Sequence, residues 1–224
     1  MGIEAILRFL TDLTANNQRE WFNDNKATYE QCKADFETIS KQLIFEIGTF
    51  DDDVKHLEAK DCIFRIYRDT RFSHDKTPYK THFGVFIASN GGRKSQRAGY
   101  YLHLDPAGSF IASGVWCPPP NLLKALRQSV YDNYDEFCEI KDNNEFKQYF
   151  NSFFEEDKLK KIPAGFDKNF AEPELLKLKH YLVEHKISKE MMADEAGFVK
   201  KIAKLCKAAY PFNQFLNETV DDTI

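Results

Sequence analysis

Between residues 61 and 117 the hydrophobic pattern of this chain has a period of two, held over four short segments. Side chains alternate across a strand, so such a pattern commits a chain to a half-buried sheet. In the first segment, 61–68, Cys62, Phe64, Ile66 and Arg68 point one way, and Ile63, Arg65, Tyr67 and Asp69 the other. Three more follow, at 82–89, 99–104 and 109–117. The polar, glycine-rich "NGGRKSQRAG" suits a hairpin, and "DPAG" carries Pro and Gly at the second and fourth places of a turn. Short connections between successive strands predict antiparallel pairing.

Helical spacing flanks this region. Ile3, Ile6, Leu7, Leu10 and Leu13 predict a first helix to about Ala15. Asn17 followed by Glu20 gives a capping-box pattern for a second, from about 18 to 47. Its stripe of Trp21, Tyr29, Cys32, Phe36, Ile39, Leu43 and Ile47 is a core face. "PPP" stops the sheet, and a helix starts at "NLLKALRQSV", with Asn121 or a preceding proline near its cap. "NEFKQYF" and "PELLKLKHYL" also predict helices, and the last stretch gives one helix, a break near Pro211 and a short closing helix. No repeat or low-complexity linker divides the chain. The expectation is one α+β domain over 1–224, a mainly antiparallel sheet of about four or more strands with helices packed on it.

Composition narrows the function classes. With 224 residues, 42% hydrophobic, the chain can bury a substantial core. A net charge of −4 argues against nonspecific coating of DNA or RNA, which needs a broad basic footprint. Five cysteines, an odd number with no C-x-x-C pair, indicate a reduced, cytoplasmic chain. Glu4, Arg8 and Asp12 interrupt any signal-peptide core, and no stretch has the apolar length of a membrane span.

Against that acidic background, "RIYRDTRFSHDKTPYKTHFG" stands out. Residues 65 to 80 carry a local charge of +3, which leaves −7 for the rest. Arginine grips carboxylate or phosphate with a planar fork, and lysine adds a point charge. Arg65, Arg68, Arg71, Lys76 and Lys80, with Asp69 among them and a hydroxyl from Tyr79, could surround an anion. Period-two spacing puts Tyr101, His103 and Asp105 on one face, and a His two places from an Asp is a candidate proton-handling pair. Trp116 offers an aromatic wall, and Arg127, about two turns into the next helix, could point back. The expectation is a cytosolic domain that binds a phosphate- or carboxylate-bearing small molecule in a cationic cleft, with His103 and Asp105 as catalytic candidates. The alternative is a noncatalytic interaction module, in which the Arg/Lys/Asp motif is a structural ion network or docks an acidic partner. No cofactor or metal is expected. The six histidines show no metal-ligand spacing, and no G-x-S-x-G, Walker loop or G-x-G-x-x-G occurs.

Taken in order, "NNQREWF", the R-D-T-R-F-S-x-D-K-T-P-Y-K run, "SGVWCPPPNLLKALRQSV" and "FNQFLNE" resemble the family of conserved hypothetical proteins filed as domain of unknown function 2461. The resemblance covers nearly the whole chain, and the run from Arg68 to Lys80 is its most specific part. It implies one conserved domain and assigns no catalytic residues.

Overall fold

A computed structural model describes residues 2–224. Its centre is a four-stranded antiparallel sheet in the order β1 (Phe83–Ile87), β2 (Gly99–Leu104), β3 (Phe110–Val115) and β4 (Tyr181–Lys186). Among the described residues, ten α-helices accompany it. Four precede the sheet: α1 (Ile3–Ala15), α2 (Arg19–Asp24), α3 (Lys26–Ile47) and the single turn α4 (Ala59–Cys62). Four lie between β3 and β4: α5 (Pro120–Asp132), α6 (Tyr134–Lys141), α7 (Asn144–Tyr149) and α8 (Pro173–Lys177). Two close the chain: α9 (Lys189–Ala193) and α10 (Glu195–Thr223). The predicted α+β class is observed.

One continuous hydrophobic core runs from Ile3 to Val220. The sheet gives it Val85 and Ile87 from β1, Tyr100, Leu102 and Leu104 from β2, Ile111 from β3, and Tyr181 and Val183 from β4. The α3 stripe meets them with Tyr29, Cys32, Phe36, Leu43 and Ile47 buried, while Ile39 of α3 and Trp21 of α2 are half-buried. Each such large side chain stabilises the fold by roughly 1.5–3 kcal/mol when removed from water.

Four expectations are corrected. The segment 61–68 is not a sheet strand: it begins in α4 and continues as extended chain, with only isolated bridges, Ile63 to Val85 and Tyr67 to Tyr79. Arg68 N donates to Pro78 O, but Pro78 has no N–H to return, so no regular ladder forms there. The fourth strand is instead β4, in a stretch whose beginning reads as helix. Tyr181, Leu182 and Val183 are all buried, so the polar–apolar alternation that marks a strand is missing. The single helix expected over 18–47 is parted at Asn25, and Asn17 does not cap it. The Asn17 amide pairs like a strand with the Tyr79 backbone, donating to its O at 3.0 Å and accepting from its N at 3.1 Å. Finally, α10 runs unbroken through Pro211. A proline forfeits one helix hydrogen bond, and here buried Phe212, Phe215 and Leu216 hold the axis beyond it.

Candidate functional site

The helices cover one face of the sheet. On the other, the strands contribute Gly84 and Phe86, then Tyr101 and His103, then Phe110 and Ala112, then Leu182 and Glu184. This face floors a cavity of about 800 Å³, and no α-helix contributes to its lining. Loops build the walls. Phe64 and Lys80 stand beside β1, Arg93 and the run Ser95 to Arg97 come from the β1–β2 hairpin, Trp116 to Pro119 follow β3, and Phe154 and Glu156 precede β4.

Two glycines make the floor possible. A Cβ on Gly84 would lie 2.7 Å from the Tyr101 hydroxyl and 3.0 Å from Tyr101 Cε2, so the absent side chain lets the Tyr101 ring lie across β1. Gly114 sits at φ +122°, and a Cβ there would meet Tyr181 O at 2.0 Å. Only glycine fits that place, where β3 passes under its neighbour. Just beyond it, the half-exposed Trp116 ring stacks on His180 at 4.2 Å, while His180 Nδ1 accepts from Cys117 N at 3.0 Å.

The polar end of the cavity follows from register. Gly84 pairs with His103 and Phe83 with Leu104, so His82 falls opposite Asp105. The His82 and His103 rings lie 4.3 Å apart, and Phe110 stacks on His103 at 4.6 Å. His103 Nδ1 shares a 3.0 Å hydrogen bond with the Tyr101 hydroxyl, and its Nε2 lies 3.7 Å from Asp105 Oδ2. Asp105 Oδ1 accepts from Ala107 N at 2.7 Å, which fixes the carboxylate. Burial holds both imidazoles below their ordinary range: His82 falls to about 4, with His103 and Lys80 adding to the effect, and His103 is lowered despite Asp105. Both rings are therefore neutral at pH 7. Burial, then Asp105, pushes the Tyr101 phenol up to about 12.

The cations divide sharply. Arg68 bonds Asp75 and Thr77, Arg71 forms a two-pronged pair with Asp69 at 2.7 and 3.0 Å, and Lys76 donates to Thr70 O at 2.9 Å. These groups stand on the outer loop and satisfy one another. The Arg68 hydrogen bond holds the Asp75 carboxyl down to about 2. Arg97 lines the cavity but is paired with Asp53 at 2.9 Å and Asp221 at 3.1 Å. Lys80 also lines it, and among the described residues it has no carboxylate within ion-pair distance. Its ammonium lies 5.3 Å from the Phe64 ring centre, and burial, then the charge of exposed Arg65, lowers its pKa.

Of the residues singled out from sequence, Lys80, Tyr101, His103 and Trp116 line the cavity, and Asp105 touches it through His103. Arg65, Arg68, Asp69, Arg71 and Lys76 do not line it. Tyr79 is a core residue, stacked on Phe22 at 3.9 Å. Arg127 is buried elsewhere and donates to Leu178 O at 2.8 Å. Sequence reasoning passed over His82, Phe86, Phe110 and Leu182. Period-two spacing through His82, Gly84 and Phe86 carried the signal for the first two; Leu182 was hidden by the helical reading of β4. The family described as conserved hypothetical protein (DUF2461) matches residues 5–215, a range that contains every wall of the cavity. No curated protein matches the chain, and no solved structure does. With nearly its whole length matched, the chain belongs to the DUF2461 family.

Proposed function

We propose that this protein binds a small molecule with an apolar body and an anionic head in the cavity on the open face of its sheet. The single observation that carries this reading is Lys80, a partly desolvated cation that, among the described residues, has no ion-pair partner and lines a cavity otherwise rich in aromatic and apolar walls. A desolvated charge without a partner is costly, and an anion from solution offsets that cost. The head lies at the Lys80 and His82 end; the body crosses Phe110, Ala112 and Leu182 toward Trp116. Glu156 and Glu184 line the β4 side, which suits a hydrogen-bond donor on the ligand. His103, neutral at pH 7 and beside Asp105, is the proton acceptor if the bound molecule is transformed. The ion-network alternative fits the outer loop of residues 68–77, where each cation is already satisfied. A cytoplasmic location is supported by five unpaired cysteines, Cys117 among them at the surface, and no helix among the described residues is long and apolar enough to cross a membrane.

The test uses octyl phosphate and octanoate as probes, with 1-octanol as the uncharged control and Trp116 fluorescence and calorimetry as readouts. The expected result is anion binding that weakens about tenfold, or 1.4 kcal/mol, in Lys80→Met, with octanol affinity unchanged. Equal affinity of wild type and Lys80→Met for octyl phosphate overturns the proposal, as does the absence of binding to wild type.

A further inference from the structure

We propose that His82, His103 and Asp105 form a three-ligand site for a divalent first-row transition ion, open to the cavity. One donor atom from each residue lies within 4.8 Å of the other two, and His103 Nε2 and Asp105 Oδ2 are already 3.7 Å apart. Two donors about 2.1 Å from one ion, at angles near 90–110°, lie roughly 3.0–3.4 Å apart. Small side-chain rotations close the difference. Two imidazoles and one carboxylate are a donor set suited to zinc, iron(II) or cobalt(II), and too poor in oxygen for calcium or magnesium.

The surroundings are those of a ligand set. His82 immediately precedes β1, His103 lies near the end of β2 and Asp105 immediately follows it, so their approach is set by strand register. The Asp105 side chain is only 18% exposed, and among the described residues its one ion-pair partner is His103. Ala107 N orients one carboxylate oxygen and leaves the other facing the imidazoles. The Tyr101 hydroxyl holds His103 Nδ1, which leaves Nε2 for the ion; outer hydrogen bonds of this kind orient metal-bound imidazoles. Lys80 is the cation facing the group. It opposes the ion's charge, and favours an anionic molecule or hydroxide at the open positions.

The inference goes beyond anion binding and does not depend on it. With the ion bound, His103 is a ligand and no longer a base, and proton transfer passes to metal-bound water. The experiment is therefore done without any anion probe. Chelator-stripped protein is titrated with Co²⁺, followed by visible absorption, and with Zn²⁺ in competition with a chromophoric chelator. The expected result is one ion per chain, with affinity reduced at least a hundredfold in His82→Ala and in Asp105→Asn, and about tenfold in Tyr101→Phe. His74→Ala, on the exposed loop, leaves it unchanged, and circular dichroism confirms that each variant is folded. Lys80→Met leaves metal affinity unchanged or tightens it while weakening octyl phosphate, so the two proposals fail separately. Substoichiometric uptake by wild type overturns the metal site. So does undiminished affinity in His82→Ala, the variant that keeps the proposal testable should Asp105→Asn not fold.

Discussion

The outer loop of residues 68–77 and the polar end of the cavity are built from the same kinds of residue and treat them in opposite ways. In the loop, Arg68, Arg71 and Lys76 each meet a carboxylate, hydroxyl or carbonyl of the same loop, in contact with water. At the cavity, Lys80 lies a few residues further on, partly desolvated and, among the described residues, with no carboxylate within ion-pair distance, and the desolvated His82 stands beside it. The loop is richer in charge, and the cavity is richer in charge left unanswered. Density of charge along a sequence reports neither binding nor catalysis; what distinguishes the two regions is whether each charge has already been satisfied by its neighbours.

Three perturbations sharpen this contrast. The largest effect is expected from Gly84→Leu, which drives a side chain into the Tyr101 ring. It should cost about 1–3 kcal/mol in denaturant unfolding and abolish octyl phosphate binding, because the ring must leave the cavity floor. Retention of both stability and binding would show that Tyr101 is not held against β1 as described.

Next is pH. His82 binds its proton near pH 4 in the folded protein and near 6.5 in the unfolded chain, so the unfolded state takes up more protons between those values. Its contribution is complete above pH 6.5 and is lost as pH falls toward 4. The shift corresponds to about 3 kcal/mol at full burial, discounted to about 1–2 kcal/mol for a half-buried ring. Unfolding free energies at pH 7 and 4.5 should differ less in His82→Gln than in wild type. The loop answers the same proton later: Asp75 contributes above its ordinary value of 3.8, and loses that contribution as pH falls toward 2. Asp75→Asn should therefore leave the higher window unaltered, and a change there would couple two regions described as separate.

The smallest effect is expected from Arg71→Ala. Its pair with Asp69 is solvent-exposed, and such pairs add little to stability. Stability and octyl phosphate affinity should both stay close to wild type. A clear loss of affinity would return the loop to the binding site.

How far the sequence alone reaches depends on which residues must meet. Strands β1, β2 and β3 were legible because they are short apolar runs separated by brief, glycine-containing turns, and β2 comes near strict alternation. The shared face of Tyr101, His103 and Asp105 was legible for the same reason, since all three stand on or beside one strand. The partnership of His82 with Asp105 was not, because it needs the β1–β2 register, which hairpin composition alone leaves free. β4 was hidden by burial on both faces, and with it the Leu182 and Glu184 side of the cavity. Lys80 and Arg71 look alike in sequence; which of them finds a partner is decided by the fold of the loop between them.

The C-terminal helix has a consequence in time. Asn217 of α10 clamps the residue before β2, accepting from Ala98 N at 2.7 Å and donating to Ala98 O at 3.2 Å, and Asn213 donates to Gly99 O at 3.3 Å. Those strand groups are translated more than a hundred residues ahead of the helix that satisfies them. At ribosomal speeds of about 5–20 residues per second, the three strands β1, β2 and β3 wait on the order of 5–20 s for that helix, and for roughly 3–15 s of it they have an unpaired edge where β4 will dock. Nascent chains of this protein therefore pass through a long interval as open-edged sheets, the period in which chaperones or neighbouring chains have their opportunity to bind.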